Sequence, residues 1–251
     1  MATQTEPAEK LAGMREQKYK DPRPAEYFDD LYKRSQKRDP NGVHELVRVL
    51  TGLVTFLFFR ARCVNAKYAW RRGGFLMAPN HFSFMDHFLT GAFTPRRMRF
   101  VAKSQMFKWY SRWFFSTGGV IPVRRGWHDE RMFATVKMVL RKGRAVVMYL
   151  EGGRSRTGEL SEKAYSGLGR LALESGKPVV PIAIYGSAKA RNWKRLQFPK
   201  VTVEFGEPMF FPQVDDPSEE ASQAVADTVH SEIHRMYYAL EARGGRRKPR
   251  R

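Results

Sequence analysis

The stretch A-P-N-H-F-S-F-M-D-H-F, residues 78–88, closes a short apolar run and sets His81, Ser83, Asp86 and His87 among aromatic side chains. Histidine takes and returns a proton near neutral pH, and a carboxylate accepting from its second ring nitrogen fixes the tautomer and steadies the imidazolium. His81 and Asp86 could form such a pair. Five positions along a regular helix turn through about 140°, so the two meet only if His81 lies in a turn ahead of a helix and folds back onto its first turn. Pro79 ends the preceding run, and Ser83 with Asp86 matches the S-x-x-D capping pattern. A second reading therefore stands beside the first, in which Asp86 only caps a helix.

Two further segments could bind anions. G-G-V-I-P-V-R-R-G, residues 118–126, reads as a strand ending in Arg124 and Arg125, and an arginine fork can grip a phosphate bidentately. Y-L-E-G-G-R-S-R-T-G, residues 149–158, delivers Glu151 into a turn where Gly152 and Gly153 let backbone amides approach a ligand, with Arg154 and Arg156 beside them. The plain alternative there is a hairpin with a solvated basic tip. P-V-V-P-I-A-I-Y-G, residues 178–186, reads as a core strand. Lys103 could meet an anionic group but reads rather as a solvated loop lysine, and His87 reads as structural, pointing elsewhere on its helix. His230 and His234 sit one helical turn apart without an evident third ligand, so no metal site is expected. The aromatic run 109–115 suits an apolar-chain groove, a membrane-facing edge or core packing.

These side chains need a scaffold. Strands are expected at 62–66, 74–79, 98–102, 119–123, 145–150, 179–185 and 200–205, with helices at 83–93, 104–115, 128–142 and 161–175. Such alternation predicts an α/β fold, a central sheet covered by helices on both faces. A last helix is expected after D-D-P-S-E-E, capped by Asp216 with Pro217 at its first position, and runs to about Ala242. Residues 1–42 are polar and read as partly disordered, 43–60 as an apolar helix, 61–242 as the main domain and 243–251 as a basic tail.

The 251 residues carry 45 Lys and Arg against 25 Asp and Glu, a net charge of +20 that favours anionic partners. The single cysteine, Cys63, excludes an intrachain disulfide framework and points to a reducing compartment. No basic start followed by an apolar stretch opens the chain, so a secretory leader is not expected. The run Leu46 to Phe59 is shorter than the roughly 20 apolar residues needed to span a bilayer. It suits a helix lying in the membrane interface; a buried core helix is the other reading.

Taken together, the motifs resemble those of the glycerolipid acyltransferases typified by 1-acylglycerol-3-phosphate acyltransferase. N-H-F-S-F-M-D resembles the H-x-x-x-x-D motif, G-V-I-P-V-R-R the second motif, whose final arginine falls on Arg125, E-G-G-R-S the third and V-P-I-A-I the fourth, in the family's order. Three positions depart from it: Leu150 stands where proline is usual, Gly153 where threonine is usual, and Arg124 where an acidic residue is common. The resemblance implies a mixed central sheet and transfer of an acyl chain from acyl-CoA or acyl carrier protein, as co-substrate rather than cofactor, to a lysophospholipid acceptor. It implies His81 and Asp86 as the catalytic pair and Arg125, Glu151, Gly152 and Arg154 as substrate-binding residues, with Asn80, Ser83, Arg124, Gly153 and Ser155 as further candidates. The expected setting is the cytoplasmic face of an anionic cell membrane, with the protein peripheral or monotopic. Other acceptors, namely glycerol 3-phosphate, another lysophospholipid or a glycolipid, stay open. A non-catalytic nucleic-acid or membrane-surface binding protein is the rival class; no nucleic-acid partner is expected.

Overall fold

Every residue of strand β2, Phe75–Pro79, is buried, as a strand with helices packed on both sides requires. Its side chains alternate between two cores: Leu76 and Ala78 join one apolar cluster, Phe75 and Met77 the other. The computed structural model describes residues 20–155, 157–190 and 198–246. Around β2 lie β1 (Arg62–Val64), β3 (Met98–Lys103), β4 (Val120–Val123), β5 (Ala145–Val147), β6 (Val179–Tyr185) and β7 (Thr202–Phe205), in the order β1-β7-β6-β2-β5-β3-β4. All neighbours run parallel except β6 and β7, so the sheet is mixed, as expected. Because β2, β3, β4 and β5 point the same way, the segments that leave their ends share one edge of the sheet. Open α/β sheets present their ligand sites at such an edge.

The helices are α1 (Asp29–Lys37), α2 (Gly42–Leu57), α3 (Asp86–Ala92), α4 (Arg112–Thr117), α5 (Glu130–Arg141), α6 (Gly167–Ser175) and α7 (Glu219–Ala242). A Cβ added at Gly169 of α6 would lie 1.9 Å from the Ser222 carbonyl oxygen of α7, so the two helices touch backbone to backbone there. The polar N-terminal segment is not all free arm: Phe28, Leu31 and Tyr32 enter the core beside β4 and α5. Residues 1–19 and 247–251, the latter most of the basic tail, lie outside the described residues.

Three expectations need correction, the first being the helix expected over 161–175, which forms only over Gly167–Ser175. The helix expected over 104–115 is broken into a 3-10 turn at Ser104–Met106 and the short α4. Arg23 donates to the carbonyls of Ser104 and Phe107, and Ser111 Oγ donates to the Met106 carbonyl, occupying acceptors that a continuous helix would use. The last helix starts at Glu219 rather than Pro217, because the Ser218 hydroxyl, not Asp216, accepts from the Ala221 amide at 3.1 Å.

Helix α2 is inside out for a soluble protein. The residues it buries are His44, Gly52 and Thr55, whereas Leu46, Val49, Leu50, Leu53 and Phe56 face outward and Leu57 is 72% exposed. This removes the core-helix reading. Near it on the same side of the sheet, α4 and the segment before it expose Trp109 (86%), Tyr110, Trp113 and Phe114. Among the described residues, no helix is long and apolar enough to cross a membrane.

Candidate active site

The turn between β2 and α3 brings His81 and Asp86 together. Asp86 Oδ2 lies 3.0 Å from His81 Nδ1 and accepts from the amides of Phe82 and Ser83, each at 2.7 Å. Ser83 Oγ accepts from the Met85 amide at 3.2 Å, completing the first turn. The two readings of the sequence are thus one structure: the carboxylate that caps the turn is the one that orients the imidazole. Asp86 accepts, so Nδ1 carries the proton and Nε2 keeps its lone pair. Burial pushes the His81 imidazole below the ordinary histidine value, against the hydrogen bond and charge of Asp86, and the positive charges of Arg154 and Arg125 act with burial. Burial thus favours the neutral imidazole, the state a general base needs.

The turn after β5 locks onto this one. Glu151 Oε1 accepts from the His81 amide at 3.2 Å, and the Ser155 amide donates to the His81 carbonyl at 2.8 Å. Burial pushes the Glu151 carboxyl up to about 8, opposed by the His81 amide and assisted by the negative charge of Asp86. Gly152 has φ +62°, and a Cβ there would meet the Tyr165 ring at 2.7 Å, so glycine is required on two counts. Gly153 continues the half-buried turn. The Ser155 hydroxyl accepts from the Gly158 amide at 3.1 Å. Asn80 is a tie rather than a ligand-facing group: its side chain accepts from the Ile184 amide at 2.7 Å and donates to the Ile184 carbonyl at 3.2 Å, joining the catalytic turn to β6.

Positive charge gathers at the same edge. Lys103 closes β3 beside Val123 of β4, and after burial the charges of Arg125 and Arg154 are what lower its ammonium below the ordinary value. Three cations facing one another favour an incoming anion. Lys103 is exposed, as expected, but it is the last residue of a strand rather than part of a loop. The expected arginine fork does not form. Arg124 donates from its amide to Asp129 Oδ2 at 2.8 Å and from its guanidinium to the Arg23 carbonyl at 3.1 Å, with its side chain over the Trp127 ring. Arg125 stands in the turn that follows β4, closed by the Trp127 amide on the Arg124 carbonyl, and its charge is felt at His81. Arg156 lies outside the described residues.

An apolar cavity of about 150 Å³ lies between α2, α3, α4, β3 and β4, lined by Val47, Phe88, Ala102, Phe115 and Val120 among others. His87 also lines it, and its ring meets the His81 ring edge to face at 5.1 Å. Burial, then the neighbouring His81, push the His87 imidazole down to about 4. His87 does not point elsewhere, as expected from helical spacing, but joins the catalytic pair to the cavity, because Asp86 and His87 sit at the helix start where the turn folds back. His230 and His234 contact each other at 3.1 Å, and His234 contacts the Ser161 carbonyl at 3.1 Å. Among the described residues no group of three or more His, Cys, Asp or Glu side chains is arranged to hold a metal.

A His–Asp pair with cationic groups and an apolar cavity nearby is suited to moving an acyl group between a polar and an oily partner. The family model described as Acyltransferase matches residues 60–185, half of the chain. The chain belongs to the acyltransferase family. The matched span covers β1 to β6 and holds His81, Asp86, Arg125, Glu151 and Arg154. The acyltransferase also shares its fold with the crystal structure of the 1-acyl-sn-glycerophosphate (LPA) acyltransferase PlsC from Thermotoga maritima, at a TM-score of 0.58 and 22% identity over 84% of this chain and 88% of that one.

Proposed function

We propose that this acyltransferase moves a fatty acyl chain from a thioester, acyl-CoA or acyl carrier protein, to the free hydroxyl of 1-acylglycerol 3-phosphate, giving phosphatidic acid. The observation that carries the reading is the His81–Asp86 pair with the Lys103, Arg125 and Arg154 charges and the apolar cavity nearby. His81 Nε2 takes the proton of the acceptor hydroxyl as its oxygen attacks the thioester carbonyl, and Asp86 stabilises the imidazolium. The C–S bond then breaks, and the leaving thiolate takes the proton from the imidazolium. The three cations hold the acceptor phosphate; the amides of the Gly152–Gly153 turn supply donors for the oxyanion. The cavity takes the acyl chain. The printed name of the Thermotoga maritima protein supports this acceptor.

The lipid acceptor explains the outward-facing leucines of α2 and the aromatics around α4. These surfaces rest in the cytoplasmic face of an anionic membrane, peripherally or monotopically, which brings the site next to its lipid acceptor. The +20 charge adds attraction of about 1 kcal/mol for each basic residue near the headgroups. Thiol release from palmitoyl-CoA with a panel of lysophosphatidic acid, glycerol 3-phosphate and lysophosphatidylcholine tests the reading. Turnover with lysophosphatidic acid, lost in His81→Ala, is expected. Equal turnover by wild type and His81→Ala would remove the catalytic assignment, and turnover with glycerol 3-phosphate alone would move the acceptor.

A further inference from the structure

The His81 imidazole is held on more than its edge. The Tyr149 ring lies against its face, with centroids 4.0 Å apart and planes 26° from parallel. His87 meets Tyr149 at 4.9 Å and closes the third side. Tyr149 lies two residues beyond the end of β5 and two residues before Glu151, so the segment that fixes the His81 backbone also delivers the ring that covers its side chain. The Tyr149 hydroxyl is buried and has no protein partner. A buried hydroxyl gains nothing by itself, which leaves the ring face as the part of the side chain with a role.

That role follows from the charge His81 must carry. Taking the acceptor proton turns a buried neutral imidazole into a buried cation, and burial opposes the change. The face of an aromatic ring carries negative charge density and attracts a cation above it. Asp86 supplies the stronger attraction in the plane of the imidazole; a ring stacked at 4.0 Å supplies a second, perpendicular to it, while blocking rotation out of the Asp86 hydrogen bond.

We infer that Tyr149 is a positioning residue for the reaction, its ring face holding the His81 imidazole in plane with Asp86 and favouring the imidazolium that forms during transfer. The inference rests on His81 acting as the base. Tyr149→Phe keeps the face and Tyr149→Leu removes it at little cost in apolar volume; Tyr149→Met gives the same comparison should the leucine variant not fold. Turnover of palmitoyl-CoA with lysophosphatidic acid at saturating acceptor is expected to be unchanged in the phenylalanine variant and about ten-fold lower in the leucine variant, with KM little altered. The acid limb of the kcat profile, which reports His81 in the complex, is expected to move to lower pH in the leucine variant only. A readout independent of turnover is NMR titration of the His81 ring, in which the leucine variant should titrate at lower pH than the phenylalanine variant. Matching plateaus and titrations in the two variants, or an acid limb displaced upward by leucine, would overturn the inference. An active His81→Ala would instead remove the reading beneath it.

Discussion

Asp86 Oδ2 lies 3.0 Å from His81 Nδ1 while accepting the amides of Phe82 and Ser83 at 2.7 Å. One oxygen therefore fixes both a catalytic tautomer and a backbone turn. Asp86→Asn keeps the shape but loses the charge and presents either oxygen or nitrogen, not an acceptor for all three donors. A fall in kcat of about 10³ to 10⁴ is expected, together with a lower melting temperature. Thiol release and a thermal melt on the same preparation check both.

Glu151 makes stability depend on pH in a sense opposite to that of a salt-bridged carboxylate. Its folded value of about 8 lies above the unfolded value of 4.5, so the folded state holds the extra proton between those limits. Its contribution is unpenalised below pH 4.5 and is lost as pH rises through 8. Glu151→Gln keeps an oxygen for the His81 amide and cannot ionise. Melting curves should show the variant gaining on wild type from pH 5 to pH 9; a constant difference across that range would refute the assignment.

The two neighbouring arginines should separate by phenotype. Arg125→Ala and Lys103→Ala are expected to raise the KM for lysophosphatidic acid about ten-fold or more while leaving the melting temperature near wild type. Arg124→Ala removes contacts to Arg23 and Trp127 and should lower the melting temperature with KM unchanged. Initial rates at varied acceptor concentration, with melts alongside, decide it.

Leu50 and Leu53 are 54% exposed on α2, so Leu50→Ser with Leu53→Ser should leave the fold intact. Cosedimentation with vesicles containing phosphatidylglycerol is expected to weaken at least about ten-fold, since each leucine buried in an apolar phase contributes about 1.5–3 kcal/mol. Unchanged vesicle binding would place the membrane contact elsewhere.

Gly169→Ala brings a methyl carbon to 1.9 Å from the Ser222 carbonyl. The helices must part, at a cost of about 1–3 kcal/mol, read as a fall in the denaturation midpoint without a change in KM.

The sheet was legible in the sequence because its strands are short apolar runs between Gly and Pro, and β6 forms with the bounds expected. The contact between His81 and Asp86 was legible because Pro79 and the S-x-x-D pattern favour a turn at the right place. What escaped depends on contacts distant in sequence. Arg23 lies over 80 residues from the carbonyls it takes from the 104–115 segment, and no local propensity reports such a donor. Likewise the nearness of Lys103 to the Arg125 charge arises only when β3 lies beside β4, and Arg124 and Arg125 look alike until Arg23 and Trp127 take up Arg124. His87 was misjudged because helical spacing was applied across a turn.

Because the same carboxylate oxygen closes the loop ahead of α3 and aligns the imidazole, opening the loop there also misaligns the imidazole. Partial heating should accordingly lower the number of working molecules and not the speed of each one, a distinction that single-turnover amplitudes, as opposed to their rate constants, would expose.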